Sequence, residues 1–369
     1  MARVDDPGVL FAPYRLGPID LANRIVMAPM SRNRADAEDA AHALTATYYA
    51  QRAGAGLIVT EASPISSAAR TSPRAPGIFA ARQIDGWRLV TDAVHAAGGR
   101  IILQLWHAGR ISHPSVQPDG GAPVAPSAVA PEGSVNPGEG LVPFVVPRAL
   151  SAEEIPVLVA QFASAAGRAQ QAGFDGVEIH AANGYLIDQF LRDGSNRRTD
   201  RYGGSLENRA RFLLDVIDGV VAVWGRERIG VRLSPASAMH SMADRDAQGS
   251  FGYFAEALNG RVGVLHVDET RDVPFDWSAF RARWRGVYIA NAGYDLGRAV
   301  AAISSGYADL VSFGRPFIAN PDLVARLRSG TALAAPDRAT LYGGDSRGYT
   351  DYSLTSPADS PSSPSRRDS

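Results

Sequence analysis

The sequence predicts an α/β protein, a (β/α)8 TIM barrel with an N-terminal hairpin and a long lid loop after strand 3. Three observations carry that expectation. Eight short runs rich in Val, Ile and Leu alternate with helix-like segments, which is the pattern of parallel βα units. The first run ends in "APMSRNR", without the Gly-rich turn that opens a dinucleotide-binding open sheet. Several runs also carry polar residues at one parity near their C-terminal ends, where barrel enzymes build their sites.

The strands are expected at "RIVMAPM" (24–30), "AGLIVTEA" (55–62), "RIILQLWH" (100–107) and "GVEIHAA" (176–182). Four more follow at "IGVRLSP" (229–235), "VGVLHVDE" (262–269), "GVYIANAG" (286–293) and "DLVSFGRP" (309–316). Each is short, β-branched and closed by a turn signal. Amphipathic spacing predicts helices over 83–97, 153–172, 206–224, 295–305 and 321–328. In "SAEEI", Ser151 is the expected N-cap, with Glu154 at the capping-box position. "LFAPYRLGPIDLANRIV" reads as a hairpin that plugs the barrel's bottom. Residues 108–150 form a Pro/Gly-rich excursion of a length that connecting loops rarely reach unless they cover a site. We expect one barrel domain over 1–353 and a disordered Ser/Pro-rich tail over 354–369.

Composition narrows the chemistry. The chain has 369 residues, 45% of them hydrophobic, enough for a large core. Its formal charge of −1 supplies no global field for nucleic acid or an anionic membrane. All 37 basic residues are Arg, so a Schiff-base lysine is excluded, and with it pyridoxal-phosphate chemistry. The absence of Cys excludes disulfides, thiolate metal sites and cysteine nucleophiles. No signal-peptide core or membrane-length apolar run is visible, so the expectation is a cytoplasmic protein.

Strand parity then locates a site. In "IILQLWH", Gln104 and Trp106 oppose Leu103 and Leu105; in "GVEIH", Glu178 and His180 oppose Val177 and Ile179. In "GVRLS", Arg232 opposes Val231 and Leu233. Alternate residues of a barrel strand face inward, so these polar groups converge on the interior and need partners there. Arg232 paired with Glu178 across the barrel, and Trp106 as plain core, is the structural alternative. A metal site assembled from His180, Glu178, His266 and Asp268 finds no matching ligand spacing. Neutral donors with one guanidinium suit a planar, electron-rich ligand, or an oxygen that gains charge during reaction. "ANAGYDLGRA" and "SFGRPFIANPDL" follow strands seven and eight, the usual phosphate grip of such barrels, where Arg315 adds a charge-assisted contact. A phosphorylated planar ligand points to FMN.

The segments "APMSR", "QLWHAGR", "HAANGYLIDQFLRDGSNRRTDRYGGSLENRARF", "GVRLSP", "FGRPFIANPDL" and "LYGGDSRGYTDY" together resemble the Old Yellow Enzyme family. The likeness runs from about residue 9 to 353. It implies noncovalent FMN at the barrel mouth, with NAD(P)H as hydride donor and reduction of activated C=C bonds in α,β-unsaturated carbonyl or nitro compounds. In that resemblance Pro29, Met30 and Ala62 line the flavin ring, Ser31 lies near O4, and Gln104 bonds the pyrimidine edge. Arg232 stands by N1 and O2, while Ala292, Gly293, Gly314 and Arg315 hold the phosphate. His180 and Asn183 grip the substrate's oxygen, and Tyr185 protonates the α-carbon after hydride leaves flavin N5 in a ping-pong cycle. Trp106 and Tyr342 shape the substrate channel. Ser31 and Trp106 suit the classical branch, and the partners implied are small molecules, with the chain a monomer or homodimer. A flavoprotein acting mainly on nitrate esters or nitroaromatics is the alternative. Residues 236–252 depart from the family pattern, and the helix before strand six looks shortened.

Overall fold

The structure, a computed structural model, describes residues 6–354. Eight parallel strands close into a barrel in sequence order: β1 (Ile25–Met27), β2 (Leu57–Pro64), β3 (Ile101–Trp106), β4 (Gly176–His180), β5 (Ile229–Leu233), β6 (Val264–Asp268), β7 (Val287–Asn291) and β8 (Leu310–Phe313). The closing seam pairs Val311–Phe313 with Ile25–Met27. Every strand is buried at nearly all positions, as expected when helices cover the outside and side chains fill the inside. All eight expected strands are present; seven are trimmed at one or both ends, and β2 starts two residues later than expected and runs two residues further.

The covering helices are α1 (Ala43–Ala50), α2 (Ala81–Ala96), α3 (Glu154–Gln171), α4 (Leu206–Trp224), α5 (Ala247–Leu258), α6 (Trp277–Ala282), α7 (Leu296–Ser304) and α8 (Leu323–Ser329). The expected helices correspond to α2, α3, α4, α7 and α8. Sequence periodicity misses α1, α5 and α6. "ALTATYYA" lacks a charged face, "AQGSFGYFAEAL" contains two glycines, and "WSAFRA" is too short to show a period. The helix before strand six, α5, runs for twelve residues.

The capping expectation at α3 needs correction. Glu153, not Ser151, is the N-cap, and it makes no side-chain cap bond. Half of the reciprocal pattern survives, because the Ser151 N–H donates to the Glu154 carboxylate at 2.8 Å. That carboxylate is also gripped by Arg148 at 2.8 Å.

The N-terminal hairpin pairs Tyr14–Leu16 with Ile19–Leu21. Leu16, Ile19 and Leu21 pack with Val26, Leu57, Ile102, Val264, Ile289 and Leu310, inward residues near the starts of their strands, so the hairpin seals the barrel floor. The excursion after β3 is partly structured. Val124–Ala125 pairs with Arg148–Ala149, and Ser134–Val135 forms a small antiparallel ladder with Val142–Pro143. The expected tail lies outside the described residues from 355 onward.

Candidate active site

The inward parity places a connected polar layer across the C-terminal half of the barrel. Gln104 Nε2 donates to Glu178 at 2.7 Å, and the other Glu178 oxygen accepts from His266 Nδ1 at 2.7 Å. His266 Nε2 meets the Ser312 hydroxyl at 2.8 Å, so β3, β4, β6 and β8 are tied through one carboxylate and one imidazole. Burial would raise Glu178, but His266, Arg232 and Gln104 more than offset it and hold the carboxyl below its usual range. His266 is held below its ordinary value chiefly by burial and stays a neutral bridge. Among the described residues, no three of His, Asp and Glu are grouped to hold a metal ion.

Arg232 does not pair with Glu178. Its Nη2 donates to Asp268 at 3.2 Å and to Asn291 Oδ1 at 2.9 Å on β6 and β7. Nε and Nη1 are buried without a partner among the described residues. Two unmet guanidinium donors inside a barrel are costly unless an acceptor comes to them. Gln104 is in a matching state: its nitrogen is committed to Glu178, while its carbonyl oxygen has no partner among the described residues. An irregularity in β2 between Val59 and Ala62 sets Ala62 opposite Gln104 on the same floor.

At the end of β4, His180 is 5% exposed, and its Nδ1 accepts the Ala182 N–H at 3.3 Å. Burial, then the nearby Arg232, lowers its pKa to about 3, so the ring is neutral. With Nδ1 accepting, the proton sits on Nε2, and His180 offers a donor to the cavity. Asn183 takes a left-handed conformation, φ 56°, which asparagine tolerates better than most residues. Its N–H donates to Ser234 Oγ at 2.7 Å, its carbonyl accepts from His240 Nδ1 at 2.8 Å, and its Oδ1 is buried without a partner. Tyr185 packs edge-on against both Trp106 and His180, with centroids 5.1 and 5.0 Å apart. Burial, with Tyr342 nearby, pushes its hydroxyl up to about 12, so it keeps its proton through the neutral range.

Above these groups lies a cavity of about 500 Å³ lined by Ser31, Trp106, Tyr185 and Tyr342, by Phe144 and the Ser134–Asn136 turn of the lid, and by His240. Ser31 is exposed on the loop after β1, while Pro29 and Met30 are partly buried beside it. That loop is held from below by Glu61, which accepts the Arg32 and Asn33 N–H groups at 2.9 and 3.0 Å. Arg32 then donates to Leu341 O at 2.9 Å and Gly348 O at 2.8 Å, fixing the C-terminal strap that carries Tyr342 to the rim.

The remaining expected residues sit at the ends of β7 and β8. Ala292 and Gly293 have φ 79° and 67°, and Arg298 Nη1 holds their carbonyls at 2.8 and 3.2 Å. Arg298 is anchored to Glu269, which also accepts the hydroxyls of Tyr288, Tyr294 and Tyr307 at 2.9, 2.8 and 2.6 Å. Gly314 lies beside Met30, where an added Cβ would stand 3.6 Å from its sulfur. Arg315 is exposed with no partner among the described residues. The structure therefore gathers Ser31, Trp106, Tyr185 and Tyr342 around one cavity, with His180 against Tyr185 beneath it. Ala292, Gly293 and Arg315 stand apart on the rim. Sequence parity exposed Glu178 as inward-facing without giving it a role, His266 and Asp268 entered only as ligands of the rejected metal site, and Asn291 and the knot around Glu269 were not singled out.

The profile of the NADH:flavin oxidoreductase / NADH oxidase family matches residues 9–334. The chain belongs to this family. It is thus a flavin-dependent oxidoreductase of the Old Yellow Enzyme group, whose cofactors are FMN and a nicotinamide reductant. A putative 12-oxophytodienoate reductase 4 from Oryza sativa subsp. japonica is 42% identical over 93% of this chain and 92% of its own. A probable flavin mononucleotide-dependent alkene reductase from Leishmania infantum is 43% identical over 93% and 97%. Among solved structures, morphinone reductase in complex with tetrahydroNAD superposes with a TM-score of 0.91, at 48% identity over 95% of this chain and 98% of that one. The Old Yellow Enzyme homologue from Zymomonas mobilis gives 0.91 at 43% identity over 94% and 99%. None of the described helices is long and apolar enough to cross a membrane.

Proposed function

We propose that this member of the family reduces activated alkenes, α,β-unsaturated carbonyl or nitro compounds, in the cavity above Tyr185. The observation that carries the reading is the triad at the end of β4. A neutral His180 with its donor on Nε2 stands beside Asn183, next to a tyrosine that keeps its proton.

The polar layer suits FMN on its own chemistry. Arg232 Nε and Nη1 are unmet donors where an electron-rich pyrimidine edge would place acceptors, and Gln104 offers a carbonyl oxygen beside them. Pro29, Met30, Ser31 and Ala62 would flank the ring, and Ala292, Gly293, Gly314 and Arg315 would hold the phosphate. The chemistry FMN supplies when bound is a hydride, accepted from NAD(P)H and passed to the β-carbon of the alkene.

The chain's own side chains do the rest. His180 and Asn183 donate to the carbonyl or nitro oxygen, whose negative charge grows as the hydride arrives, so both contacts strengthen toward the transition state. Neutral donors serve this better than an imidazolium, which would bind the ground state of any anion. Tyr185 delivers a proton to the α-carbon as general acid. Trp106 packs against Tyr185 and, with Tyr342, narrows the channel. We place the enzyme in the cytoplasm, as a monomer or homodimer acting on small molecules.

A visible spectrum of the purified protein and turnover assays test the reading. A flavin spectrum with NADPH-driven reduction of 2-cyclohexenone is expected; a colourless protein that takes up no added FMN would sink it. Turnover of a nitrate ester but not of cyclohexenone or maleimide would move the activity to nitro chemistry. Tyr185→Phe should leave NADPH-driven flavin reduction intact and slow cyclohexenone reduction by about 100-fold or more, within the usual worth of a general acid.

A further inference from the structure

The segment after β5, residues 236–252, carries a histidine into the cavity. His240 lines it together with Tyr185, its ring centroid 5.5 Å from that of Tyr185, and Phe144 of the lid lies edge-on to it at 6.3 Å. Its backbone is left-handed, φ 59°, as is that of Ser241, φ 58°. Two consecutive non-glycine residues in that region persist only when surrounding contacts hold them. Buried Arg110 supplies those contacts: its Nη2 donates to His240 O at 3.1 Å, and its Nη1 donates to Val129 O of the lid at 3.0 Å. Gly184 lets the segment approach, since a Cβ there would stand 2.9 Å from that of His240.

The held ring has one polar bond. Nδ1 lies 2.8 Å from the Asn183 carbonyl oxygen. A carbonyl can only accept, so Nδ1 carries the proton. The two imidazoles of the site are thereby opposite tautomers: His180 donates through Nε2, and His240 donates through Nδ1 to the backbone behind Asn183.

We propose that His240 is the positioning residue for Asn183. Asn183 is the strained member of the oxygen-gripping pair, with a left-handed φ and no partner for its Oδ1. Its backbone is clamped on both flanking peptides, by Ser234 Oγ on the N–H and by His240 on the C=O. Ser234 is buried and itself fixed, because Arg192 donates to its carbonyl at 2.6 Å. His240 is thus the half of the clamp that comes from the segment after β5. Without the Nδ1 donor, the carbonyl loses its partner and the residue can relax from the left-handed region, carrying its amide away from the substrate's oxygen. The proposal rests on the reading that His180 and Asn183 grip that oxygen.

Para-chlorophenol titrated into the FMN-loaded enzyme tests it, read as the long-wavelength charge-transfer band. His240→Ala should raise the phenol Kd by about tenfold or more, the equivalent of one hydrogen bond's worth of about 1.4 kcal/mol. His240→Asn, whose amide nitrogen falls close to the place of Nδ1, should stay within about threefold of the parent protein. Asn183→Ala should weaken binding as His240→Ala does, and the double variant should be no weaker than about the weaker single one. Full flavin absorbance in each variant reports an intact barrel. If His240→Ala binds phenol as the parent does while Asn183→Ala does not, the positioning role is overturned. If His240→Asn is as weak as His240→Ala, the ring rather than the donor matters, and the role is equally overturned. An unaffected Asn183→Ala would instead remove the oxygen-grip reading itself, and the clamp with it.

Discussion

The two ends of the barrel mouth are built by opposite means. Over β3 to β6, side chains do it: Gln104, Glu178, His266, Arg232 and Asp268 are buried or nearly so and mutually bonded, with unmet donors left facing inward. At the ends of β7 and β8, backbone does it: Ala292 and Gly293 turn through positive φ, and the charged group, Arg315, stands exposed and unpaired. The first end is part of the fold's own stability. The second is an attachment to it, braced from behind by Arg298 and Glu269.

Breaking the first end should cost both fold and cofactor. Arg232→Leu removes the guanidinium from the largely buried Asp268 carboxylate, which keeps only Thr270, and strands the Asn291 amide oxygen. Removing one partner of such a pair typically costs about 3–5 kcal/mol, so the apoprotein's melting temperature should drop and FMN should not be retained. A variant that melts like the parent and keeps its yellow colour would erase the distinction between the two ends.

Acid should find the same end. His180 is held at about 3 and His107 at about 4, both through burial, and His266 and His240 are lowered too. A folded value below the unfolded value of about 6.5 means that the unfolded chain binds the proton first. Stability is therefore fully present above about pH 6.5 and falls as pH drops toward the folded values. His180 and His107 alone remove about 1.4 kcal/mol each per pH unit. Denaturant midpoints measured from pH 7 to pH 4.5 should decline steadily; a flat profile would mean that these rings are not neutral in the fold.

Which parts of this were legible beforehand follows the same division. Period two in β3, β4 and β5 exposed Gln104, Glu178, His180 and Arg232, because inward parity is a local property of the chain. Their pairings were not legible. Arg232 chose Asp268 and Asn291 over Glu178, a matter of neighbour register among β5, β6 and β7. The clamp on Asn183 was hidden for a different reason: it joins residues 57 apart and depends on a left-handed turn that no periodicity announces. The end proposed for the phosphate was visible only as a motif, since backbone conformation leaves no side-chain pattern.

Arg315→Ala separates the ends further. The side chain is exposed and bonds nothing among the described residues, so the apoprotein's stability should not move. A lost charge-assisted contact is worth about 1.5–3 kcal/mol, so FMN affinity should fall by about ten- to a hundredfold in an equilibrium titration. A melting shift in the apoprotein as large as that of Arg232→Leu would show Arg315 to be structural.

The smallest effect is the most specific to the backbone account. Ala292 sits at φ 79°, where a Cβ crowds the chain and an L-residue pays about 1–2 kcal/mol that glycine does not. Ala292→Gly relieves that strain but gives the unfolded chain more freedom, which returns about 0.5–1 kcal/mol. The net should be a gain of up to about 1 kcal/mol in the apoprotein, seen as a slightly higher denaturant midpoint. FMN binding should move the other way, weakening by no more than about threefold, because a glycine there is less well held before the phosphate arrives. Opposite signs in the two measurements would mark Ala292 as a site where the fold stores strain for its ligand. A loss of stability would mean that Arg298, by gripping the Ala292 and Gly293 carbonyls, already holds the turn at no cost.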